Sequence, residues 1–183
     1  MTRHDSIRYK ELTMETLAHA APLVNSSQEW QKEMERLAAR KTPSFFHLRA
    51  QLPESGRTNQ VFGASSHMSV VLKTYAKGGE NELHAHTNED HVFVVLQGSA
   101  TFYGPRNEER HVAKNDCVLI PKDALYWFAA DEGGEALVMV RIGAAIDASK
   151  DVLARVDKDG APFDGYSAAN KEAPVVLGDK WFE

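Results

Sequence analysis

From residue 44 to residue 142 the sequence never sustains a helical period, and this constrains the fold more than any other feature. Short apolar segments rich in Val, Phe and Tyr follow one another instead, at 44–49, 61–63, 68–75, 91–97, 100–103, 117–120, 126–129 and 136–142. Turn-forming residues punctuate them: Gly78-Gly79, Gly104-Pro105, Lys114-Asn115-Asp116 and Gly133-Gly134. Regularly spaced strands without intervening helices predict an all-β domain, either a sandwich or a closed barrel.

The flanks read differently. Residues 1–43 predict a helical arm, in which Ser26 and Glu29 fit a capping box and Trp30, Met34 and Leu37 then share one face. Glu29, Glu33 and Arg36 lie on the solvated side, and a shorter amphipathic piece at 13–20 comes before Pro22. The apolar stripe must be covered, either by the chain's own domain, the simpler reading, or by a partner chain. Residues 147–183 form a loop-rich tail, with 175–177 as a last edge strand, expected to pack on a barrel at 44–146.

Composition excludes several function classes. The 183 residues carry a formal charge of −5 and a pI near 5.9, without the basic run that nucleic-acid binding requires. The apolar runs at 92–96, 118–120 and 137–140 are too short to span a bilayer. No secretory signal is recognisable at the start, and the single cysteine, Cys117, suits a reducing cytoplasm. The expected partner is therefore a small molecule, not nucleic acid or membrane. A Gly-rich phosphate loop and a Gly-x-Ser-x-Gly elbow are both missing, which argues against nucleotide chemistry and triad hydrolysis.

Three histidines lie within eight residues. His84 and His86, at i and i+2, share one face of an extended segment, and His91 opens the next strand after a turn. If alternation turns His91, Phe93 and Val95 inward, all three imidazoles converge in one cavity, which favours a barrel over a sandwich. Three neutral imidazoles form a facial set for one divalent metal per chain, such as Fe, Mn, Ni, Cu or Zn, with coordination positions left open. The competing reading is three polar side chains on a loop and a strand start.

At these residues the sequence resembles the cupin superfamily. That family's first motif runs Gly, five residues, His, one residue, His, three or four residues, Glu, six residues, Gly. Here Gly78, His84, His86, His91 and Gly98 keep every spacing, with histidine at the glutamate position. Of the second motif only Pro121 is kept, which puts Tyr126 where the family has its last histidine. The resemblance covers about 66–142 and implies a single jelly-roll barrel (double-stranded β-helix) with a metal inside, in a homodimer. Replacing Glu by His91 raises the centre's net charge from about +1 to about +2, favouring an anionic ligand. Three roles are open to Tyr126: a phenolate ligand, with its pKa of about 10 lowered by the metal; a general acid or base beside an open position; or an aromatic wall with Phe128.

Other residues carry weaker expectations. Glu89 and Asp90 are read as exposed turn acids, Glu82 as too distant for a metal, His111 as a surface residue, and His47 and His67 as satisfied core histidines. Cys117 is read as core. Arg141 clamps a substrate carboxylate if its face is inward; the surface reading is the simpler one. The leading function is a metal-dependent enzyme for a small enolisable or carboxylate-bearing substrate, bound among Phe93, Tyr126, Phe128 and Arg141. Within that class, the resemblance puts a three-histidine Fe(II) dioxygenase first. The alternatives are a Zn, Mn or Ni isomerase, lyase or decarboxylase with Tyr126 as acid/base, and a non-catalytic metal- or ligand-binding cupin.

Overall fold

The computed structural model describes residues 21–167, 170 and 173–183. The 13–20 piece of the arm lies outside them. Among the described residues the elements run α1 (Ser27–Ala38), β1 (Ala50–Ala64), β2 (Met68–Ala76), β3 (His84–His86), β4 (Glu89–Gln97), β5 (Ser99–Tyr103), β6 (Glu109–Ala113), β7 (Cys117–Ile120), β8 (Trp127–Ala130), β9 (Leu137–Ala145), β10 (Arg155–Asp157) and β11 (Val176–Phe182). The strands form a six-stranded sheet β11-β1-β2-β9-β4-β7, a three-stranded sheet β6-β5-β8 and the pair β10-β3. All pairings are antiparallel. The fold is the expected all-β double-stranded β-helix.

Period-2 alternation selects what enters the barrel. On β4, Glu89, His91, Phe93 and Val95 are buried, while the residues between them are partly exposed. Phe93, Val95, Leu137 and Met139 from the large sheet pack against Phe102, Val112 and Phe128 from the small one. This cluster is the barrel's apolar floor.

The sequence reading and the structure part company at β1. No strand forms at 44–49; pairing begins at Ala50 and runs for 15 residues. Its central stretch is polar, and Pro53 and Gly56 look like strand breakers. Pro53 is accommodated where the register shifts against β11. Gly56 takes φ +76°, and a Cβ there would sit 2.8 Å from the carbonyl oxygen of Ala173. Arg57, Thr58, Asn59 and Gln60 are all buried, so hydrophobic alternation could not reveal this strand.

The arm packs on its own chain. Ser26 Oγ accepts from Glu29 N at 3.1 Å, and Glu29 Oε2 accepts from Asn25 N at 2.7 Å, closing the N-terminus of α1. Trp30 and Leu37 are buried with Val24, Val61 and Val71, and Met34 packs beside them. Trp30 thereby lies near the polar interior, with its ring centroid 5.3 Å from Lys73 Nζ. The tail is more ordered than a loop-rich reading suggests. β10 pairs with β3, placing Arg155 opposite His86, and β11 forms the edge of the large sheet. No helix among the described residues is long and apolar enough to cross a membrane.

Candidate metal centre

Two short pairings fix the His-x-His segment. β10 flanks β3 on one side; on the other, His84 N donates to Tyr126 O at 3.1 Å and Tyr126 N returns a bond to His84 O at 3.0 Å. His84 and His86 are both buried. The Nδ1–H of His84 donates to the Glu82 carbonyl at 2.7 Å, which leaves the Nε2 lone pair available. Phe163 of the tail stacks on the His84 ring at 4.9 Å.

His91 enters from β4, its ring 4.5 Å from that of His86, and its Nε2 lies 3.1 Å from the Tyr126 hydroxyl. Burial, followed by the positive charge of Arg155, pulls His84 down to about 3. Burial pulls His86 and His91 down as well, aided by nearby guanidinium charges. All three rings are therefore neutral, the state in which imidazole ligates a metal. Burial pushes the Tyr126 phenol up to about 12, so it stands as a neutral hydroxyl.

The structure adds a carboxylate that the sequence reading placed on the surface. Glu89 is 2% exposed, one inward position before His91 on β4. Its two oxygens receive Arg141 Nη1, at 3.2 Å, and Nη2, and Oε2 lies 3.4 Å from His86 Nδ1. Gly143, paired with His91 across β9, makes the room: a Cβ there would lie 1.7 Å from Glu89 Oε1. Extending the His91, Phe93, Val95 alternation back by one step points to Glu89; its neighbours in a polar turn masked that signal.

Arg141 is likewise buried, not a surface residue, and Glu89 already occupies the carboxylate clamp expected of it. Cys117, read as core, is exposed. It opens β7 beside Val94, on the outer row of β4. His47 and His67, read as core, are also exposed, as is His111.

Potential ligand atoms of His86, Glu89 and His91 lie within 4.8 Å of one another, all buried. His86 Nε2 accepts from Arg155 Nε at 3.2 Å, which puts the hydrogen of the neutral ring on Nδ1, towards Glu89. Nδ1 of His91 has no hydrogen-bond partner, and such an orphaned buried nitrogen suits a cation. This donor set fits a divalent metal. His84 stands outside the tight group, its ring 5.4 Å from His86 and 4.8 Å from Tyr126. The cavity left between these groups is only about 10 Å³, the scale of one water molecule. Phe93 and Phe128 line it together with Tyr126, Arg141, Lys73 and Arg155.

Residues 71–142 match the family model of the cupin domain. The chain carries a cupin domain. None of the curated proteins matches it. Among solved structures, it is similar to a putative sugar phosphate isomerase from Acidithiobacillus ferrooxidans, with 26% identity over 59% of this chain and 74% of that one and a TM-score of 0.45. KdgF from Halomonas sp. matches at 18% identity over 54% and 88%, with a TM-score of 0.44. An uncharacterized double-stranded β-helix protein from Klebsiella pneumoniae matches at 18% over 49% and 72%, also at 0.44. Within the cupin domain, the first motif's glutamate position holds His91, yet a carboxylate still faces the histidines from two residues earlier on the same strand. The carboxylate that the motif reading counted as lost thus returns to the site as Glu89.

Proposed function

We propose that this cupin is a metal-dependent enzyme acting on a small enolisable or carboxylate-bearing molecule, with dioxygenase chemistry as the leading reading. The observation that carries it is the gathering of His86, Glu89 and His91 within 4.8 Å, all three buried and with His91 Nδ1 unpartnered. Two histidines and a carboxylate with open positions are the donor set of non-haem Fe(II) oxygenases. His84, with its Nε2 free, is the further nitrogen on hand. An Fe(II) ion held there supplies the redox chemistry for reaction with dioxygen; Zn, Mn or Ni supplies Lewis-acid chemistry in its place.

The chain's own residues prepare that chemistry. Arg141 holds the Glu89 carboxylate in place, and the Glu82 carbonyl fixes the tautomer of His84. Phe93 and Phe128 exclude water below the site, and Phe163 covers His84 from the tail. A second reading, an isomerase, lyase or decarboxylase, is favoured by Tyr126: its neutral hydroxyl, 3.1 Å from His91 Nε2, is placed to hand a proton to a substrate or take one from it.

Elemental analysis of anaerobically purified protein tests the proposal, with His91→Ala and Glu89→Gln beside the wild type. About one Fe per chain in the wild type, lost in His91→Ala and reduced in Glu89→Gln, is expected. About one Zn, Mn or Ni moves the assignment to the second reading. Metal retained in both variants removes the proposed ligand set, and no metal after reconstitution sinks the enzyme reading altogether.

A further inference from the structure

Four cations crowd the mouth of the barrel around a single buried carboxylate. Arg57 and Lys73 come from the adjacent strands β1 and β2, Arg141 from β9 and Arg155 from the tail strand β10. Glu89 gives both its oxygens to Arg141. The other three cations have only neutral hydrogen-bond acceptors. Lys73 Nζ donates to Asn59 Oδ1 at 2.8 Å, Arg155 Nε to His86 Nε2 at 3.2 Å, and Arg57 to Asn81 Oδ1 and the Gly165 carbonyl. Among the described residues no carboxylate lies within ion-pair distance of any of the three, and the one buried acid, Glu89, is committed to Arg141.

A packed interior has no reason to retain charge in this arrangement. A buried cation without a counter-charge opposes folding, and mutual repulsion adds to the penalty. Burial and the neighbouring guanidiniums push the Lys73 ammonium well down, which reports the same shortage of negative charge. Lys73 and Arg155 face one cavity, together with His84, His86 and Tyr126. The cavity as it stands holds about one water, so the missing charge belongs to something that enters as Arg155 swings away from His86.

We infer that Lys73 and Arg155 form the recognition site for the carboxylate of a small organic anion, bound beside the histidine–glutamate cluster. Two cations on one small cavity match a planar, two-oxygen head group better than a bulkier tetrahedral phosphate. Arg155 turns from His86 Nε2 to the incoming carboxylate, freeing that nitrogen as it does so. The inference deepens the proposed function, and rests on it only in placing the anion beside a metal. Because Arg155 is carried by the tail and Phe163 N bonds back to its carbonyl at 3.0 Å, tail and ligand close the site together.

Calorimetric titration of the full-length protein in low-chloride buffer tests this, with acetate, oxalate and inorganic phosphate as probes. Wild type is compared with Lys73→Met, Arg155→Met and the charge-retaining Arg155→Lys, and metal content and thermal midpoint are measured on every sample. Oxalate is expected to bind, each Met variant to weaken it by about tenfold or more, and Arg155→Lys to recover part of the loss, with metal content unchanged. No oxalate or acetate binding to wild type, or equal binding by folded Met variants, overturns the inference. Tighter binding of phosphate than of either carboxylate overturns the ligand class. Oxalate binding that persists in protein unable to hold metal supports the anion site and sinks the metal reading alone.

Discussion

At the floor of the barrel Val95, Leu137 and Met139 are fully buried in an all-apolar cluster. Two residues beyond Met139 on β9 and four before Val95 on β4, Arg141 and His91 are buried just as deeply, with Glu89 beside them. The same strands, in the same alternation, build both regions. The floor gains free energy from burial, about 1.5–3 kcal/mol for each large apolar side chain. The mouth loses free energy, because each ionised or polar group surrenders water for partners that are few and, for Lys73 and Arg155, uncharged. A domain that keeps such a mouth is sustained by its floor, and the polarity there is explained by what it binds rather than by what it stabilises.

The largest expected effect lies at the border between the regions. Phe93 touches Phe102 and Phe128 at centroid distances of 5.7 and 5.8 Å on the floor side, and His91 at 5.2 Å on the mouth side. Phe93→Ala should cost about 3–5 kcal/mol of folding stability, read by urea unfolding. A cost under about 1 kcal/mol would mean that the floor does not carry the fold.

Breaking the one ion pair of the mouth comes next. Arg141→Met leaves Glu89 buried without its partner and should cost about 3 kcal/mol. The loss stays below that of Phe93 because Lys73 and Arg155 are relieved of a repelling neighbour. Adding Glu89→Gln to Arg141→Met should restore part of the stability. Strict additivity in that double-mutant cycle would show that the pair is not coupled.

How much of this was legible in the sequence follows the same division. The floor strands β2, β4, β5, β7 and β9 announce themselves, because one buried face gives period-2 alternation in Val, Phe and Leu. The helix announced itself through Ser26, Glu29 and its Trp30–Leu37 stripe. The spacing of His84, His86 and His91 pointed to the site, since identical ligand residues on one face carry a pattern. Arg57, Lys73, Glu89 and Arg155 carry none. A buried charge looks like a surface charge in sequence, and only tertiary pairing, such as β10 against β3, brings Arg155 to His86. Of β1 only 61–63 is legible, because its central stretch, Arg57 to Gln60, is polar and yet buried.

Lys73 gives the smallest expected effect and the sharpest separation of the two regions, because its removal should stabilise the protein. Its ammonium is buried, flanked by the charges of Arg57, Arg141 and Arg155, and held well below the ordinary lysine value of 10.5. In the unfolded chain the lysine binds its proton up to about pH 10.4, so over the interval between the two values the unfolded state is the more protonated one. Stability contributed at this position therefore rises with pH across that interval, and the penalty is complete below it. Lys73→Met keeps most of the volume and removes the charge, at the expense of an unpaired Asn59 Oδ1. The net gain near pH 7 should be about 1 kcal/mol, shrinking as the pH approaches 10.5. Thermal unfolding of wild type and variant at pH 7 and pH 10 reads it directly. A loss of stability at pH 7 would make Lys73 a structural residue like those of the floor, whereas a gain accompanied by weakened oxalate binding would mark it as a charge the fold tolerates for its ligand.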